Sequence, residues 1–123
     1  MNDLTAVIDR HLDAFANPDD EARLAAVRDL WAEDGALADP PITGEGHDGI
    51  AGVGGALVQQ FPGHRFRRTT ALDEHHGFVR YGWVLLDPDG TEVLAGEDIG
   101  VVGDDGRLQR IVGFFGPLVA RAD

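Results

Sequence analysis

Cysteine, serine and lysine are all missing from these 123 residues. Without cysteine there is no disulfide framework, no thiolate nucleophile and no zinc-thiolate site. Without serine there is no G-x-S-x-G elbow, and nothing sets a threonine hydroxyl beside a base. No run of roughly 18 apolar residues is present to span a bilayer, and Met1 opens onto a polar, acidic stretch without a basic leader region. The expectation is a soluble, unprocessed cytoplasmic protein with no membrane partner. Positive charge is scarce: ten arginines stand against 22 acids, for a net charge of −12. That field repels phosphate backbones and anionic lipid, so nucleic acid is not an expected partner. The acids are scattered through helices and turns, as on a solvated surface. With 43% hydrophobic residues and six prolines, the chain can bury a core, and its length suits one domain, 1–123.

Leu4, Val7, Ile8, His11, Leu12 and Phe15 recur at helical spacing and predict an amphipathic first helix with one polar member, His11, in its apolar stripe. Asn17, Pro18, Asp19 and Asp20 signal a second helix start: Asn can cap, Pro suits the first turn and the acids complement the helix dipole. This helix should run to about Trp31, burying Leu24, Val27, Leu30 and Trp31 and turning Arg23, Arg28 and Asp29 outward. Gly35 ends it, and Ala36 to Asp39 reads as a short extended piece, because the residue before Pro40 is pushed away from helical angles. A third, glycine-weakened helix is predicted from Asp48 to about Phe61, stopped by Pro62-Gly63.

The period then changes. His64 to Asp73, Phe78 to Leu86, Thr91 to Val102 and Arg107 to Phe115 read as four strands. Turns at Glu74–Gly77, Asp87–Gly90 and Gly103–Gly106 separate them. Helices first and strands second predict an α+β fold with an antiparallel meander and no parallel βαβ crossover.

Gly44 to Gly49 satisfies G-x-G-x-x-G, but the proline-stiffened Asp39 to Thr43 before it is not the buried strand of a dinucleotide site. His75 and His76 with Asp73 sit at a hairpin tip, and adjacent strand residues point to opposite faces. No metal or cofactor is expected from either motif.

His11, Asp39 and Asp98 stand out as polar residues in apolar or stiff surroundings. Alternation sorts Leu94, Gly96, Asp98, Gly100 and Val102 onto one face of their strand and Val93, Ala95, Glu97, Ile99 and Val101 onto the other. Pattern alone leaves open which face is inward, and the second row is the more aliphatic. Trp31, Phe61, Phe66, Tyr81, Trp83 and Phe115 form a candidate aromatic lining for a flat, apolar ligand, though each also suits a core.

Two stretches carry a family resemblance. LWAEDGALADPP, Leu30 to Pro41, resembles the helix-to-strand passage of ketosteroid isomerases, which ends in Asp-Pro. GEDIGVVGDDGRLQRIVGFF, Gly96 to Phe115, is similar to their final hairpin, where an Asp shortly before the turn faces the pocket. The chain thus resembles the ketosteroid isomerase and SnoaL-like branch of the nuclear transport factor 2-like superfamily. The resemblance implies a cone: three helices on a curved, mainly antiparallel sheet of four to six strands. It assigns Asp39 the place of the general base and Asp98 that of the protonated oxyanion donor. Where ketosteroid isomerases carry a tyrosine on the first helix, HLDAF places His11; SnoaL-like polyketide cyclases vary this position. The resemblance further implies an isomerase- or cyclase-type enzyme without cofactor, acting on a small apolar, carbonyl-bearing or polycyclic ligand, and a homodimer. The same pocket would suit a non-catalytic small-molecule-binding or accessory domain. A third possibility is epoxide hydrolase-like water addition, whose Asp-Arg-Asp arrangement lacks an evident arginine between Asp39 and Asp98.

Overall fold

A computed structural model describes residues 3–123. Helix α1, Leu4–Phe15, is capped by Asp3, whose side chain accepts from Thr5 N at 3.0 Å. Helix α2, Asp20–Leu30, is capped by Asp19, which accepts from Glu21 N and Ala22 N. Asn17, expected as the cap, instead accepts from Asp19 N at 2.9 Å and so shapes the turn before the helix. Trp31 is not helical: with φ −108 and ψ 144 it opens strand β1, Trp31–Asp39. The extended piece expected at Ala36–Asp39 is therefore the end of a nine-residue strand with Gly35 inside it. Gly35 is required there by the Trp31 ring, since a Cβ would lie 2.7 Å from Cε3.

Strand β2, Ile42–Glu45, leads into helix α3, Gly46–Gln60, so the glycine motif spans the end of a short strand and the start of a helix. Gly46, at φ +70, suits the start of α3, but the four glycines that follow it in the helix each cost about 1 kcal/mol relative to alanine. Packing offsets this: Ile50 is wholly buried, which stabilises by roughly 2–3 kcal/mol, and Val53 is nearly so. Two of the glycines also explain a departure from the expected pattern. Arg23, predicted outward, is only 4% exposed. Its side chain lies over Gly54 and Gly55, where a Cβ would come 2.7 Å from Cδ and 2.8 Å from Nη2 respectively. The guanidinium donates to Ala51 O at 3.1 Å and Asn17 O at 2.7 Å and pairs with Asp20, satisfying the charge that burial would otherwise penalise.

The remaining strands are β3 (Arg65–Arg68), β4 (Asp73–His75), β5 (Phe78–Leu86), β6 (Glu92–Val102) and β7 (Leu108–Phe115). The single strand expected over His64–Asp73 is split into β3 and β4, which both pair with β5. The link between them leaves the ladder, and Thr70 Oγ1 accepts from Gly82 N. At the β5–β6 turn, Asp87 accepts from Asp89 N and Thr91 N, both at 2.9 Å, and Gly90 takes φ +88. Hairpin chemistry read from sequence is thus observed.

Among the described residues the sheet has seven strands in the order β2-β1-β7-β6-β5-β3, with β4 also on β5. Its pairings are antiparallel except one: β1 runs parallel to β7, with Leu37 beside Ile111 and Ala38 beside Val112. This crossover, which the meander reading excluded, joins the helical half of the chain to its final strand. The three helices lie on one face of the curved, open sheet. Ile8, Leu12 and Phe15 of α1 pack with Trp31, Val79 and Ile111 in a single core. No described helix is long and apolar enough to cross a membrane.

Candidate active site

Sheet register brings the two aspartates together. Tyr81 of β5 stands opposite Asp98 of β6, and Asp98 opposite Gly113 of β7. Asp39 of β1 follows directly after the Ala38–Val112 pair, so it continues the same row. Four neighbouring strands thus contribute Tyr81, Asp98, Gly113 and Asp39 in order. Gly113 leaves a gap in that row, and both carboxylates lean over it. A Cβ there would collide with Asp39 Oδ1 and sit 3.0 Å from Asp98 Oδ1.

The row faces inward. Asp98 is 6% exposed, whereas Val93 and Ile99 of the more aliphatic row are 47% and 42% exposed. Asp98 is held at both oxygens: Tyr81 Oη donates to Oδ2 at 2.7 Å and Trp83 Nε1 to Oδ1 at 2.9 Å. These bonds favour the carboxylate, but loss of water outweighs them, and the charge on Asp39 adds to it; the Asp98 carboxyl is raised to about 7. Burial also raises the half-buried Asp39 to about 6. Like charges so placed titrate as a pair, and near neutrality one proton can be shared between them.

The carboxylates open on a cavity of about 250 Å³ between α1, α3 and the sheet. Its walls are mostly apolar, with Leu12, Leu37, Leu57 and Ile111 among them. His11, Asp39, Asp98 and Gln60 are the polar side chains of the described lining, and no arginine joins them. The exposed members, Pro41, Gln60 and Phe115, mark the mouth.

All three residues singled out as catalytic candidates, His11, Asp39 and Asp98, reach this cavity. Of the six aromatic candidates, Phe61, Phe66, Trp83 and Phe115 line it. Trp31 and Tyr81 do not. Trp31 is wholly buried, with Nε1 directed at His11 Nδ1 at 3.4 Å, and Tyr81 is spent on Asp98. Both stand behind the wall and hold residues that face the cavity. Gly113 and Gln60 were not foreseen: Gly113 acts by lacking a side chain, and Gln60 sits at a helix end where periodicity fades. His75 and His76 are exposed, their Nδ1 atoms 3.0 Å apart, and no group of three potential metal ligands forms among the described residues.

No protein-family model and no curated protein matches the chain. Solved structures do. A proposed isomerase of the SnoaL-like family from Agrobacterium tumefaciens is 36% identical, with TM-score 0.86, over 92% of this chain and 97% of its own. The chain belongs to the SnoaL-like family. A nuclear transport factor 2-like protein of unknown function from Exiguobacterium superposes with TM-score 0.71 at 15% identity, over 91% of this chain and 99% of its own. A proposed SnoaL-like polyketide cyclase from Jannaschia does so with TM-score 0.71 at 14% identity, over 91% and 84%. At such identities these two speak for the fold alone. In this SnoaL-like chain the paired aspartates occupy the enclosed hollow between helices and sheet.

Proposed function

We propose that this SnoaL-like protein is a cofactor-independent enzyme of the isomerase or cyclase type, which abstracts a proton next to a carbonyl of a small, neutral, apolar substrate. One observation carries the reading: two aspartates with raised pKa values, from strands far apart in the chain, converge over Gly113 on an apolar cavity. Asp39, titrating near 6, is ionised at neutral pH and serves as base. The substrate C–H bond breaks, the proton passes to the Asp39 carboxylate and the electron pair moves onto the carbonyl oxygen. Asp98, titrating near 7, retains a share of its proton and donates to that oxygen, with His11 beside it. Return of the proton to another carbon gives an isomer; attack of the enolate on a second carbonyl of the same molecule closes a ring. The division of labour between two aspartates follows the pattern of ketosteroid isomerase.

The cavity limits the substrate. An engineered cavity of about 150 Å³ takes up benzene, so about 250 Å³ encloses one ring or two fused rings, and a larger ligand must protrude past Gln60 and Pro41. Anionic substrates are disfavoured by the absence of lining arginine and by the net charge of −12. The same absence leaves an Asp-Arg-Asp water-adding site without its centre.

The decisive experiment is turnover of an activated bicyclic ketone or a benzisoxazole of the Kemp type. Asp39→Asn is expected to abolish it with the circular dichroism spectrum intact; unchanged turnover refutes the role. Tight binding of such compounds by the wild type, without exchange of their acidic protons into solvent, would instead favour a binding protein, a reading supported by the Tyr81 and Trp83 hydrogen bonds that engage both oxygens of Asp98. A homodimer through the outer sheet face is supported by Phe78, Ile99 and Phe114, which are 50%, 42% and 57% exposed there. A monomer by light scattering at micromolar concentration contradicts it.

A further inference from the structure

We infer that Trp31 is a positioning residue: it locks His11 in the Nε2–H tautomer, so that a neutral imidazole N–H points into the cavity as a donor to the substrate oxygen. The inference rests on the proton-transfer reading for its purpose, but its geometry stands alone. Indole Nε1 can only donate, and here it meets His11 Nδ1 at 3.4 Å. Nδ1 must therefore present its lone pair, and a neutral ring carries its hydrogen on Nε2.

His11 is 3% exposed, yet Nε2 has no hydrogen-bond partner among the described residues. Every described side-chain nitrogen or oxygen that is fully sealed off does have one. Nε2 therefore meets open space, and the space that His11 lines is the cavity. The ring is fixed on two sides, by Phe15 at a centroid distance of 4.5 Å and by the Trp31 edge at 5.5 Å. The carboxyls sharing the cavity with it are Asp39 and Asp98. Burial holds the His11 pKa down to about 4, so the ring stays uncharged across the neutral range. An uncharged donor stabilises a developing enolate without forming an ion pair with the carboxylate that must take the proton.

The test is long-range ¹H–¹⁵N NMR of histidine-labelled protein, wild type and Trp31→Phe, between about pH 5.5 and 8. In the wild type, His11 is expected as one neutral tautomer, protonated at Nε2 throughout. In Trp31→Phe a population protonated at Nδ1 should appear, and kcat should fall by up to roughly twofold with KM little changed, in proportion to the molecules left in that form. A wild-type ring protonated at Nδ1, or charged at neutral pH, overturns the inference even if the variant fails to fold. A variant that keeps pure Nε2–H overturns the locking role. The tautomer is read without turnover, so a pure Nε2–H ring in a protein without activity would leave the lock standing while the enzymatic reading fell.

Discussion

Replacing Asp98 by asparagine should make the protein more stable, and increasingly so as pH rises. The wild-type carboxyl titrates near 7 in the fold against an ordinary 3.8, a difference of about three units, driven first by lost hydration and then by Asp39. A raised folded pKa means that the folded state holds a proton the unfolded chain has released. The stabilisation is therefore full below about 4 and is lost progressively up to about 7. At about 1.4 kcal/mol per unit the ceiling is about 4 kcal/mol. Near pH 5, safely above the isoelectric point of about 4.5, about one unit is already gone. Between about pH 5 and about pH 8.5 the advantage of Asp98→Asn should grow by about 3 kcal/mol, readable as a widening gap in urea midpoints. Asp39 and His11 are present in both proteins, so their own titrations largely cancel. The amide can still accept from Trp83 and donate to Tyr81, which keeps the comparison close to one of charge. A gap of equal width at both pH values would refute the claim that Asp98 is a desolvated acid poised near neutrality.

Gly113→Ala should leave a folded protein that is roughly 1–3 kcal/mol less stable and poor in turnover, because the new methyl displaces Asp39 Oδ1; thermal unfolding beside kinetics checks both. The profile of kcat/KM against pH should rise through about 6 as Asp39 ionises and fall through about 7 as Asp98 loses its donor proton; a flat profile across that range counts against the pair. Arg23→Ala should cost roughly 2–4 kcal/mol in urea unfolding, with Arg23→Met costing less because it refills the space over Gly54 and Gly55; equal costs would mean that filling this space contributes nothing and the polar contacts carry the whole effect.

Much of this was legible in the chain. Stripe periodicity in α1 placed His11 inward, and Asp39-Pro40 marked a stiff strand end. Asp98 was harder. Alternation separates two faces but carries no sign, and Val93, Ile99 and Val101 made the wrong face look like the core because the outer side of this sheet is itself apolar. Arg23 was misplaced since a helical pattern treats arginine as polar, while the clue lay in another helix, in the adjacent Gly54 and Gly55. Trp31 and Tyr81 look alike in sequence to the aromatics that line the cavity, and only their hydrogen-bond partners separate them. The β1–β7 contact has no local signature, because nothing near Ala38 refers to Val112.

That contact governs how the molecule must come into being. A ribosome that has released everything through β6 still holds a chain whose first carboxylate has no floor beneath it, and ring closures of such span are slow. The hollow beside Asp39 is thus among the last features to mature during biosynthesis. A nascent chain stopped before Leu108 should remain open to protease, with the flank of β1 bare and able to capture a neighbouring copy until the terminal strand docks.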